Sequence, residues 1–170
     1  FTFFGSTAHH PGAILGVDGL DPRFSSGGFY GRGLYMAEDP CYQIGGRYAH
    51  YPEGFGGRRM QLFLVRFARG SIQDLGGSVT AQTKQMTAAA MRPAPDQHLR
   101  HDCVRAGPHR PAMSGGGVNE SMIYVSYAQH QAYPCYLVTF DIEVPSTTAV
   151  EGRAEELDPP PPKRARSIVT

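Results

Sequence analysis

A chain of 170 residues is long enough for one domain with a hydrophobic core and too short to expect two. Its 16 Lys and Arg against 15 Asp and Glu leave a net charge of +1, which argues against the domain-wide basic field that nucleic-acid binders use, so no direct nucleic-acid partner is expected. Cys41, Cys103 and Cys135 are too few and too widely spaced for a disulfide framework or a zinc module, which points to a reducing, intracellular setting, and no apolar run is long enough to cross a bilayer.

The chain opens on Phe1-Thr2-Phe3-Phe4, an apolar run up to Gly5 that reads as a strand already under way, without the basic flank and cleavage site of a signal peptide; the sequence therefore reads as an N-terminally truncated fragment. A short helix is expected after Ser6 and Thr7. Between Phe29 and Ala37, Gly31 and Gly33 flank one residue directly before a short aromatic strand. Asp39 followed by Pro40 supplies an N-cap and a pre-set first turn, predicting a helix to about Tyr51 in spite of Gly45 and Gly46. Further strands are expected over Gln61 to Ala68, Ser121 to Tyr127 and Tyr136 to Val144, the last with Tyr136, Val138, Phe140 and Ile142 at alternate positions. Gln73 to Gly117 is polar and punctuated by Pro and Gly, and reads as long surface loops, with one or two local turns of helix, bordering a site.

From about Val150 the composition shifts to Glu, Pro and Arg, with Pro159 to Pro162 running into Lys163-Arg164-Ala165-Arg166. This divides the chain into a domain over 1–149 and a disordered tail over 150–170. The basic cluster reads either as a solvated tail or as a nuclear import signal, which leaves nucleus and cytoplasm both open.

Three constellations carry chemistry. Gly31-Arg32-Gly33 marks either an ordinary turn or a place where backbone approaches a ligand; it lacks the third glycine and following helix of a Rossmann unit. Tyr35 and Tyr42 stand seven residues apart, on a strand and a helix around one connection, so their rings either sandwich a flat ligand or pack in the core. His98, His101, Cys103 and His109 are zinc-ligand types, but their spacing contains no Cys-x-x-Cys or His-x-x-x-His half-site, and no metal is expected.

Four co-linear blocks carry a family resemblance. Phe3-Phe4-Gly5-Ser6 resembles an aromatic-His-Gly-Thr strand end, and Tyr30-Gly31-Arg32-Gly33-Leu34-Tyr35-Met36-Ala37 resembles Tyr-Gly-Lys-Gly-x-Tyr-Phe-Ala. Met60 to Gly70 is similar to an apolar-x-x-Val-x-x-Gly strand and turn, and Gln131 to Phe140 resembles Gln-Ala-Tyr-Pro-Glu-Tyr-Leu-Ile-Thr-Phe. These are the motifs of the poly(ADP-ribose) polymerase catalytic domain, a diphtheria-toxin-like ADP-ribosyltransferase. The resemblance is closest to the branch of mono-ADP-ribosyltransferases with macrodomains, because Leu137 falls at the third active-site position.

The resemblance implies an α+β fold of two crossed antiparallel β-sheets with short flanking helices, and NAD+ as co-substrate in the cleft between the sheets. Gly5 backbone and the Ser6 hydroxyl would hold the carboxamide, Tyr42 would stack on the nicotinamide ring with Tyr35 on its other side, and Arg23 in the loop over the co-substrate would either meet a phosphate or be a surface arginine. Tyr30 and Gly31 belong to the same binding segment. Phe4, Tyr35 and Leu137 occupy the three active-site positions, with Phe4 in place of the motif histidine and Leu137 in place of the glutamate that elongation requires. The implied activity is mono-ADP-ribosyl transfer to an acceptor protein or to the chain itself, with the acceptor supplying the missing negative charge. Glu143 lies roughly 20 Å along the same expected strand and is no substitute; His9 and His10 are expected in a solvated loop. Loss of both histidine and glutamate motivates a second class, an inactive binding or scaffold module.

Overall fold

In the computed structural model, residues 1–7, 9–16, 19–88, 100–110 and 120–142 are described. Seven strands form one sheet: β1 (Thr2–Phe4), β2 (Leu34–Ala37), β3 (Arg59–Phe67), β4 (Ile72–Asp74), β5 (Cys103–His109), β6 (Ser121–Ser126) and β7 (Ala132–Asp141). Their order is β4-β5-β6-β2-β1-β3-β7, and every pair is antiparallel except β4 with β5. Two short helices, α1 (Pro11–Gly16) and α2 (Pro40–Gly45), complete a mixed α+β architecture.

The expected pair of crossed sheets is replaced by this continuous one, in which the two halves meet narrowly. β1 is only three residues long, and the registered pair joining it to β2 is Phe3 with Ala37. On the other side β1 is in full register with β3, so that Phe63 stands opposite both Phe4 and Leu137. Because side chains alternate along a strand, β2 feeds two cores. Leu34 and Met36 join Phe63, Val65, Leu20 and Ala132 in one cluster, while Tyr35 and Ala37 pack with Tyr42, Val104, Ile123 and Val125 in another.

Three expectations need correction. α2 stops at Gly45, with Gly46 as its C-cap, instead of running to Tyr51. Two adjacent glycines lower the helix's backbone preference, and Arg47 then takes a positive φ of 57°, which turns the chain back. β7 begins at Ala132, four residues before the expected start; Glu143 and Val144 lie outside the described residues. Within the stretch read as surface loops lie β4 and the buried strand β5. Gly107-Pro108 hides β5 in the sequence, since proline cannot donate to a ladder; here the register shifts between Ala106 and His109 and absorbs it.

The expected short helix after Ser6 and Thr7 is α1. Residues 89–99 and 111–119, the domain boundary near Val150 and the tail to Thr170 lie outside the described residues. Among the described residues, no helix is long and apolar enough to cross a membrane.

Candidate functional site

The end of β1, residues 19–29, β2 and α2 enclose a cleft of about 710 Å³, within the size range of small-molecule sites. Phe4, Gly5, Ser6, Tyr35 and Tyr42 all line it. Tyr30, Gly31, Arg23 and Leu137 do not.

Where β1 ends, the chain is pinned against the segment that follows α2. Thr7 N donates to Tyr48 O at 3.1 Å and Thr7 Oγ1 to Arg47 O at 2.8 Å. At Gly5 a Cβ would overlap the Tyr48 carbonyl, so this approach of two backbones requires glycine. The buried Ser6 is thereby held on the cleft wall.

α2 delivers the next residues. Asp39 caps it by accepting from Cys41 N at 2.8 Å, and Pro40 sets its first turn. Tyr42 then points inward and is 6% exposed, whereas Tyr48, which also lines the cleft, is 43% exposed. The two rings stack at 6.0 Å and 26°. The rings of Tyr42 and Tyr35, expected on either side of a flat ligand, both line the cleft; Tyr42 in addition backs Tyr48, whose ring is more open than that of Tyr42. A helix running to Tyr51 would have put Tyr48 about 240° around the axis from Tyr42, which is why the pair was not legible in the sequence.

Tyr35 contributes its ring but not its hydroxyl. That hydroxyl accepts from Tyr30 N at 2.8 Å and donates to Gly31 O at 2.7 Å, and burial pushes its pKa up to about 12. Burial likewise raises Tyr42. Tyr30 is fully buried, with its hydroxyl 2.6 Å from His109 Nε2 and its carbonyl accepting from Tyr127 Oη at 2.6 Å. Gly31 has φ 77°, and a Cβ there would overlap the Met86 carbonyl. Tyr30 and Gly31 therefore brace Tyr35 from behind the cleft, and the close backbone approach at Gly31 is to Met86.

Arg23 folds back on its own turn. Its Nε and Nη2 donate to Asp21 Oδ2 at 2.8 and 2.5 Å, and this pairing holds the Asp21 carboxyl below its ordinary range. Asp21 lines the cleft while the Arg23 side chain stays 72% exposed. Leu137 packs under the cleft, against the cluster that also includes Phe4 and Ile14. His9, expected in a solvated loop, does line the cleft, its ring edge-on to Phe24. His10 instead meets His50, with ring centroids 5.2 Å apart.

The candidate metal ligands disperse along β5 and just before it. His101 Nδ1 lies 2.9 Å from Ser71 Oγ, Cys103 Sγ donates to Arg69 O at 3.1 Å, and His109 is held by Tyr30. Among the described residues no three metal-ligating side chains converge, and His98 lies outside them. Sequence reasoning missed Tyr48, Phe24 and Phe29 as lining residues; all three are partly exposed aromatics in loops, where no periodicity marks them. The chemistry on offer is a ring-stacking surface, hydroxyls at Ser6, Thr7, Ser25 and Ser26, an ion-paired carboxylate and an imidazole. No family model matches the chain, and no curated protein does.

Proposed function

We propose that the chain is an NAD-dependent protein ADP-ribosyltransferase that adds single ADP-ribose units. The observation that carries this reading is the convergence on one cleft of Phe4-Gly5-Ser6, Tyr35 and the Tyr42–Tyr48 stack, drawn from separate sequence blocks. On this reading the nicotinamide ring lies on Tyr48, with Tyr42 behind it, and the Gly5 backbone and Ser6 hydroxyl take the carboxamide. A flat, partly cationic ring suits an aromatic face.

The reaction breaks the bond between the anomeric carbon and the nicotinamide nitrogen, which keeps the electron pair, and forms a bond from that carbon to an acceptor nucleophile. The intervening cation is helped by negative charge. Leu137 cannot accept a proton from an incoming ribose or bond its hydroxyl, which disfavours elongation. Phe4 can stack but cannot donate, and one lost hydrogen bond costs about 0.5–1.5 kcal/mol, roughly two- to tenfold in affinity.

A second reading, binding without transfer, is favoured by one feature. Among the described lining residues the carboxylate is that of Asp21, and it is engaged by Arg23. Calorimetric titration with NAD and a non-hydrolysable analogue, run with mass spectrometry of the protein and with Phe4→His beside the native chain, separates the two. Binding with single-unit automodification supports the transferase; binding of both ligands without modification supports the module. If neither the native chain nor Phe4→His binds, both readings fail.

A further inference from the structure

His9 and Phe24 both line the cleft. His9 follows β1, and its backbone N–H donates to Ser6 O at 3.0 Å, a turn that holds its backbone next to Ser6. Phe24 ends the 3-10 turn Pro22–Phe24, which is capped by Asp21. The two rings meet edge-on, with centroids 6.3 Å apart and planes at 65°. Phe24 is 70% exposed, so the contact lies at the mouth of the cleft.

The distribution of charge singles out this mouth. No Lys or Arg is among the described lining residues, and the carboxylate of Asp21 is neutralised by Arg23. Of the described lining residues, His9 is the one whose side chain can carry a positive charge. Among the described residues, α1 carries no ionisable side chain, His10 faces His50, and Arg47 and Tyr48 stand on the segment packed against Thr7. His50 is held below the ordinary histidine range, first by burial and then by His10.

We propose that His9 is a specificity-determining residue: in its charged form it receives a phosphate of the dinucleotide at the cleft mouth, against Phe24, while an uncharged nicotinamide-type ring deeper in the cleft is indifferent to it. The inference rests on the transferase reading for the identity of the ligand. An imidazole ordinarily changes charge between pH 5 and 8, and a charge-assisted bond to phosphate favours the protonated form. Dinucleotide capture therefore strengthens as pH falls through that window.

The experiment is calorimetric titration of the native chain, His9→Gln and His10→Ala with NAD and, separately, with nicotinamide, at about pH 8 and about pH 6. For the native chain, NAD affinity rises on the order of fivefold at the lower pH and nicotinamide affinity does not change. His9→Gln abolishes the rise and His10→Ala keeps it. Because His9 is exposed, His9→Gln keeps the native melting temperature, a check made by circular dichroism. Persistence of the rise in His9→Gln, an equal rise for nicotinamide, or no rise in the native chain overturns the inference while leaving the transferase reading in place. Failure of the native chain to bind either ligand overturns both.

Discussion

Tyr48 and Tyr42 make similar contributions to the stack and opposite contributions to the protein. Tyr42 is buried in the core with Val104, Ile123 and Val125, whereas Tyr48 lies on the cleft wall with much of its ring open. Tyr48→Ala should weaken nicotinamide binding by roughly tenfold, the worth of one aromatic pair, with little change in melting temperature. Tyr42→Ala should cost about 3–5 kcal/mol of stability through the cavity it leaves. Calorimetry and thermal denaturation read the two effects separately. If Tyr42→Ala melts like the native chain and Tyr48→Ala binds like it, the assignment of the open ring is wrong. Its place on a capped helix left Tyr42 open to either a core or a ligand role, and the family resemblance pointed to the ligand. The role of Tyr48 was not legible, because it depends on where the helix stops.

At the scale of elements, the turn before β2 shows how backbone shape sets side-chain chemistry. Gly31 sits at positive φ against the Met86 backbone, and the turn that it closes supplies both hydrogen-bond partners of the Tyr35 hydroxyl. Gly31→Ala meets both the left-handed penalty, about 1–2 kcal/mol, and a backbone clash. The expected outcome is a lower melting temperature with Tyr35 released: in tyrosine-selective ultraviolet titration one hydroxyl moves down toward the ordinary range near 10. An unchanged titration would mean that the turn does not hold Tyr35. Strand β5 makes the complementary point. Its buried Cys103, Val104 and Ala106 are weak strand signals by themselves, and pairing with β6 makes them a strand despite Pro108.

For the whole molecule, the surface ion pairs set the response to acid. Asp21 is held below its ordinary range by Arg23, Asp74 by the Gly76 N–H and Arg105, and Asp141 by Arg59. A carboxylate with a depressed folded-state pKa contributes stability that is fully present above its unfolded value, near 3.9, and that is lost as pH falls through the folded value. Melting temperature should thus decline gently below about pH 6.5, where the unfolded chain protonates His50 and His109 more readily than the folded one, both being lowered by burial, and more steeply below about pH 4. Asp74→Asn should make that decline shallower, by a modest amount since the Asp74 and Arg105 side chains are both partly exposed. Identical acid limbs for Asp74→Asn and the native chain would remove Asp74 from the account.

Short-range chemistry was enough to mark β1, β3, β6 and much of β7, the N-cap at Asp39 and the presence of Tyr35 and Tyr42 around one connection, because alternation and capping act over a few residues; Gly5 and Ser6 were singled out by the family resemblance alone. Tertiary structure decided the rest. Whether two sheets separate or join rests on a registered pair between Phe3 and Ala37, and whether His9, exposed in its loop as expected, also borders the cleft beside an aromatic ring depends on Phe24, fifteen positions away. Such contacts leave no periodic trace, since they are set by how elements meet and not by the order of residues within them.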